Sequence, residues 1–118
     1  MSKLEEKEFF NSSYFKNKKI SVGSNHKISS LARFYGNKIK IGKNVRIDDD
    51  VVLKGKIKIN SNVHIARGCT LSGGDKGIII GSYTALSNFI QIFRVMCPTT
   101  IPKVFCIYFY NFFPHLWH

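Results

Sequence analysis

From Ile41 to Leu71 an aliphatic residue recurs at every sixth position without a slip: Ile41, Ile47, Leu53, Ile59, Ile65 and Leu71. Four residues after each of the first five comes a second apolar side chain: Val45, Val51, Ile57, Val63 and Cys69. The phase runs back through Phe34, Ile28 and Val22, with one extra residue near Tyr35 and Gly36. It runs forward through Ile80, Leu86 and Ile92, after a three-residue insertion in the segment 72–77. Eleven hexads therefore cover residues 22–91. A period of six matches neither the 3.6 of a helix nor the 2.0 of a simple strand. It suits a short strand followed by a corner, three times per coil, with coils stacked into a parallel β-helix. Asn, Gly and Asp follow the aliphatic position, as in Ile41-Gly42-Lys43-Asn44, and these residue types accept the tight turns that corners require. An antiparallel sandwich would instead need alternation and hairpin signals between strands.

The register predicts which side chains point inwards: Val45, Ile47, Val51, Leu53, Ile57, Ile59, Val63, Ile65, Cys69, Leu71, Ile80, Leu86 and Ile90. It also predicts an outward column of Lys27, Arg46, His64 and Ala85, one residue per coil at strand spacing. The 118 residues suit one small domain, divided here into a cap (1–21), the β-helix (22–93) and a tail (94–118). The formal charge of +11 favours anionic partners. Three cysteines at no metal-ligand spacing read as reduced thiols, which fits a cytoplasmic protein. The N-terminal Met1-Ser2-Lys3-Leu4-Glu5-Glu6-Lys7-Glu8 has no signal-peptide core, so secretion is not expected. The longest apolar run, from Val104 to Phe113, is too short for a membrane helix.

The segments Ile39-Lys40-Ile41-Gly42-Lys43-Asn44-Val45-Arg46-Ile47-Asp48, Asn62-Val63-His64-Ile65-Ala66 and Ile80-Gly81-Ser82 resemble the hexapeptide repeat of the left-handed β-helix acyltransferases. Residues 22–93 are most similar in wording to the saccharide O-acetyltransferases of that superfamily. The resemblance implies the left hand, against the general preference of parallel crossovers. It also implies acetyl-CoA as co-substrate, a saccharide acceptor and a homotrimer with sites between prisms. A histidine would deprotonate the acceptor hydroxyl that attacks the thioester.

His64, outward on a regular strand beside Arg46, is the expected base, the cationic neighbour favouring a neutral ring. A solvated surface histidine is the competing reading. Asp48, Asp49 and Asn88 are the candidates for contacting the acceptor, although Asp48-Asp49-Asp50 also reads as an ordinary corner. His26 falls on an inward position of the first coil, and His115 and His118 lie in the tail. Four histidines so placed offer no zinc triplet, which excludes the carbonic anhydrase branch of the fold, and no metal is expected. Lys38, Lys40, Lys54, Lys56, Lys58 and Lys76 form a basic ridge, either a solubilising face or an attractor of coenzyme A phosphates or an anionic glycan. Exposed aromatics interleaved with these lysines are missing, which argues against nucleic acid.

Both ends leave the repeat. Ser2-Lys3-Leu4-Glu5 has capping-box spacing, and Leu4, Phe9 and Phe10 offer a small apolar face for a short helix over the first coil. Val104 to His118 hold seven aromatics and no charge, out of phase with the hexads. That composition reads as an altered or truncated end, not as a strand of the solenoid. The alternative to an acyltransferase is therefore an inactive β-helix remnant or scaffold.

Overall fold

The computed structural model describes residues 8–36, 38–94 and, for the backbone alone, 107–110. Short strands meet at corners and stack into three parallel sheets. The first sheet holds β1 (Ser21–Val22), β4 (Ile39–Ile41), β7 (Ile57–Ile59) and β10 (Ile78–Ile80). The second holds β2 (Lys27–Ile28), β5 (Arg46–Ile47), β8 (His64–Ile65) and β11 (Ala85–Leu86). The third holds β3 (Arg33–Tyr35), β6 (Val52–Lys54), β9 (Thr70–Ser72) and β12 (Gln91–Arg94). Together they form a parallel β-helix of four coils, as the hexads predict, with the left hand that the resemblance implies.

Register follows the apolar positions. Ile41 pairs with Ile59 and Ile59 with Ile80; Ile47 pairs with Ile65 and Ile65 with Leu86. Within β4 and β7 the two isoleucines are buried and the lysine between them is exposed, the alternation a pleated strand imposes. The three extra residues after Ser72 leave as a loop, so β10 still meets β7 in phase. Every inward position predicted from Val45 to Leu71, and Ile80, is buried. Leu86 and Ile90 also pack against the core but are only partly buried, since they lie in the last parallel coil among the described residues.

The loop after β9 approaches the coil below closely. A Cβ on Gly73 would lie 2.0 Å from the Lys56 carbonyl oxygen. Gly73→Ala must therefore shift backbone, and strain of this kind typically costs about 1–3 kcal/mol. The expected result is a melting temperature lower by several degrees in a calorimetric scan.

A short helix does cap the first coil. Ser2-Lys3-Leu4-Glu5 lies outside the described residues, and α1 (Ser12–Asn17) begins after Asn11, whose side chain accepts the Tyr14 amide at 3.0 Å. Asn is a strong N-cap because its oxygen satisfies an amide that has no partner within the helix. The helix plugs the first coil with Phe15, 1% exposed, whose ring meets Phe34 and His26 edge-on, both at 5.5 Å. Phe10 stacks on Tyr14 at 3.7 Å and packs against the core, whereas Phe9 is exposed. His26 is part-buried at this end, as its inward position predicts, with Nδ1 3.1 Å from the Gly23 carbonyl.

Beyond Arg94, only four residues of the tail are described. Residues Ile107–Tyr110 form β13, antiparallel to β12, with Ile92 opposite Phe109. An open edge strand offers unpaired amides and carbonyls, and a strand of reversed direction satisfies them without continuing the coil.

Candidate functional site

The second sheet presents an outward column in the predicted order. Lys27 pairs with Arg46, Arg46 with His64, and His64 with Ala85. Lys27, Arg46 and His64 each precede a buried residue (Ile28, Ile47 and Ile65), so the pleat turns them to solvent. Asp48 follows Ile47 and faces the same side as Arg46, two residues earlier. Its Oδ2 lies 2.9 Å from His64 Nε2, and its Oδ1 accepts from Arg46 Nε at 3.0 Å.

Burial of the Asp48 carboxylate opposes its ionisation. The hydrogen bonds from His64 and Arg46 outweigh that effect and hold it below the ordinary value of 3.8. An ionised carboxylate only accepts, so His64 Nε2 carries a hydrogen towards Asp48. In the neutral ring, Nδ1 then presents the lone pair. The arrangement joins a basic nitrogen to an orienting carboxylate, the geometry of a general base with its positioning group.

Linkage gives a test of this pairing. A carboxylate with a depressed folded pKa stabilises the fold above its unfolded value and loses that contribution as pH falls through the folded one. The wild type should therefore melt above Asp48→Asn at neutral pH. The gap should close in acid below the ordinary carboxylate range.

His64 lines a groove of about 430 Å³ with Asn44, Arg46, Asn62, Val63, Tyr83, Thr84 and Ala85. A neighbouring groove of about 240 Å³ on the first sheet is lined by Lys40, Lys58, Gly42, Asn60, Ser61 and Ser82 among others. Lys40 and Lys58 are register partners there, so this part of the predicted ridge is real.

The candidate acceptor residues separate. Asp48 joins His64, whereas Asp49 accepts from Ser29 Oγ on the coil below. Asn88 is exposed on the last coil and does not line the His64 groove. Arg46 spends its Nε on Asp48, an arrangement the column alone did not foretell. Sequence reasoning missed Asp48 as a partner of the histidine, and it missed Tyr83 and Thr84 as walls. Asp48 was findable, since it lies two positions beyond the register partner of His64. Among the described residues no three His, Cys, Asp or Glu side chains gather as a metal site. No described helix is long and apolar enough to cross a membrane.

Stacked coils of hexads define a class of fold, and the chain is similar to the hexapeptide-repeat, left-handed β-helix acyltransferases. Residues 38–73 match the family described as bacterial transferase hexapeptide (six repeats). The chain is 43% identical over 77 residues to dTDP-4-amino-4,6-dideoxy-D-glucose acyltransferase of Escherichia coli, covering 62% of this chain and 40% of that protein. It also resembles a variant of AntD, an N-acyltransferase from Bacillus cereus solved with dTDP and coenzyme A. There the TM-score is 0.65 at 32% identity, over 87% of this chain and 60% of AntD. AntD solved with dTDP and 3-hydroxybutyryl-CoA matches with a TM-score of 0.59 at 31% identity, over the same shares. The chain thus spans less than two thirds of the relatives it matches.

Proposed function

We propose that this chain belongs to an acyl-CoA-dependent acyltransferase whose acceptor is a saccharide, and that His64 is its general base. The observation that carries the reading is the Asp48–His64 pair, in which His64 stands on β8 and lines a groove. In this reading His64 Nδ1 takes a proton from the attacking acceptor atom as that atom bonds to the thioester carbonyl carbon. The C–S bond then breaks, and the coenzyme A sulfur leaves and is protonated. Asp48 is the positioning residue.

The relatives carry the acceptor class further. The E. coli protein is named for a dTDP-linked amino sugar, and AntD is an N-acyltransferase. An amine on a nucleotide-linked sugar is therefore the acceptor we favour over the hydroxyl that O-acetylation would use. Acetyl is the acyl group proposed, with coenzyme A phosphates drawn to the Lys40 and Lys58 face. Asp49 and Asn88 are proposed to meet the acceptor at the subunit boundary of a homotrimer. A cytoplasmic setting, where acyl-CoA and sugar nucleotides occur, belongs to the same proposal.

The test measures free thiol released from acetyl-CoA in the presence of a dTDP-4-amino sugar, the matching 4-hydroxy sugar, or neither. Release with the amine alone supports N-acylation, and release with the hydroxyl alone restores O-acetylation. No release with either acceptor would favour the scaffold reading. In the active case Asp48→Asn should lower kcat by roughly a hundredfold with little change in KM, because the ring loses its orienting acceptor.

A further inference from the structure

Resting on the nucleotide-linked acceptor proposed above, we infer that Tyr83 is a stacking platform for the planar base of a nucleoside-diphosphate acceptor. Its place in the corner column carries the argument. The residues at this corner in successive coils are Asn25, Asn44, Asn62 and Tyr83, with φ of 57°, 54°, 60° and 62°. Asparagine accepts the left-handed region, but a bulky aromatic there is strained. The asparagines also form a ladder: Asn25 Nδ2 donates to Asn44 Oδ1 at 2.6 Å and Asn44 Nδ2 donates to Asn62 Oδ1 at 3.2 Å. The fourth coil abandons that ladder for a phenol ring 83% exposed.

Phe89 provides the contrast within the same coil. It too has a positive φ, of 60°. Its ring, however, lies over Gly68, so closely that a Cβ on that glycine would sit 2.3 Å from Phe89 Cδ1. Packing within the chain explains Phe89. Tyr83 has no aromatic contact among the described residues, and its strain has no such return. At a corner that every coil builds with positive φ, an aromatic ring this exposed among the described residues leaves its face open to a ligand.

What surrounds the ring indicates the chemistry. Tyr83 borders the groove that also holds His64, and Arg46 lines the same groove with Lys27 one strand further down. A flat π surface at one end and cationic side chains along the column suit a ligand with a planar base and a diphosphate. A free sugar could lie on the ring but would leave the cationic column unused. The acceptor's base therefore anchors at Tyr83 while its sugar reaches towards His64.

The experiment is a calorimetric titration of the full chain with dTDP and, separately, with acetyl-CoA. It compares wild type, Tyr83→Phe and Tyr83→Ala, with molecular mass measured in parallel. Loss of one base-stacking contact should weaken dTDP binding by about tenfold or more in Tyr83→Ala. Tyr83→Phe should bind nearly as wild type, and acetyl-CoA affinity should stay unchanged in both. In turnover, Tyr83→Ala should raise KM for the nucleotide-linked acceptor with kcat preserved. Wild-type dTDP affinity in Tyr83→Ala would overturn the proposal, as would a change in assembly mass without loss of dTDP binding, which would make Tyr83 a subunit contact. A wild type that acylates a free amino sugar but ignores dTDP would overturn the platform and leave acyl transfer standing. Absence of transfer to any acceptor would instead overturn the reading beneath it.

Discussion

Ile65→Asp is expected to abolish the cooperative thermal melt of this chain. Ile65 is 0% exposed and is stacked between Ile47 below and Leu86 above. A carboxylate there would be buried without a partner, at a cost of several kcal/mol. A small domain has only about 5–15 kcal/mol of net stability to lose. The solenoid also lacks a way around the damage, because each coil contacts only its neighbours and the defect would separate the second coil from the fourth. Circular dichroism during heating reads the outcome. Ile79→Asp is the control, since Ile79 is 71% exposed on β10 and should leave the melt nearly unchanged. A wild-type melt for Ile65→Asp would refute the register on which the site is built.

The second large effect is catalytic. His64→Ala should lower turnover with a sugar-linked acceptor by about a hundred- to ten-thousandfold, the usual contribution of a positioned general base. Acetyl-CoA affinity should remain close to wild type, because the lysine face lies on a different sheet from His64. Arg33→Ala, exposed on the third sheet and outside both grooves, should keep its turnover number. Robust transfer by His64→Ala would remove the histidine from the mechanism and with it the role given to Asp48.

Much of this site was legible before any coordinates, and the reason is geometric. Because each coil repeats the same three strands, counting hexads is enough to place Lys27, Arg46, His64 and Ala85 in one column, and they pair in that order. The one-residue and three-residue irregularities were absorbed outside the strands, so they did not disturb the count. The same counting placed His26 at the first coil's interior. It also turned Leu86 and Ile90 towards the core they pack against, though how far each is covered depends on a neighbouring coil that the count does not supply.

Other features depend on contacts that no period encodes. Asp48 and Asp49 are adjacent and chemically identical, yet one turns up to His64 and the other down to Ser29. The start of α1 is set by Asn11 and by the fit of Phe15 into the first coil, neither of which a hexad position announces. Nor does any hexad position announce that residues Ile107–Tyr110 return antiparallel against β12. The sequence by itself determined the solenoid, its register and the outward histidine, because a six-residue period has one economical way to bury its aliphatic positions. Only the tertiary structure decided the Asp48–His64–Arg46 bonding, the groove and the exposed ring of Tyr83, because these arise from side-chain directions and from the ends of the stack, where the repeat no longer constrains the chain.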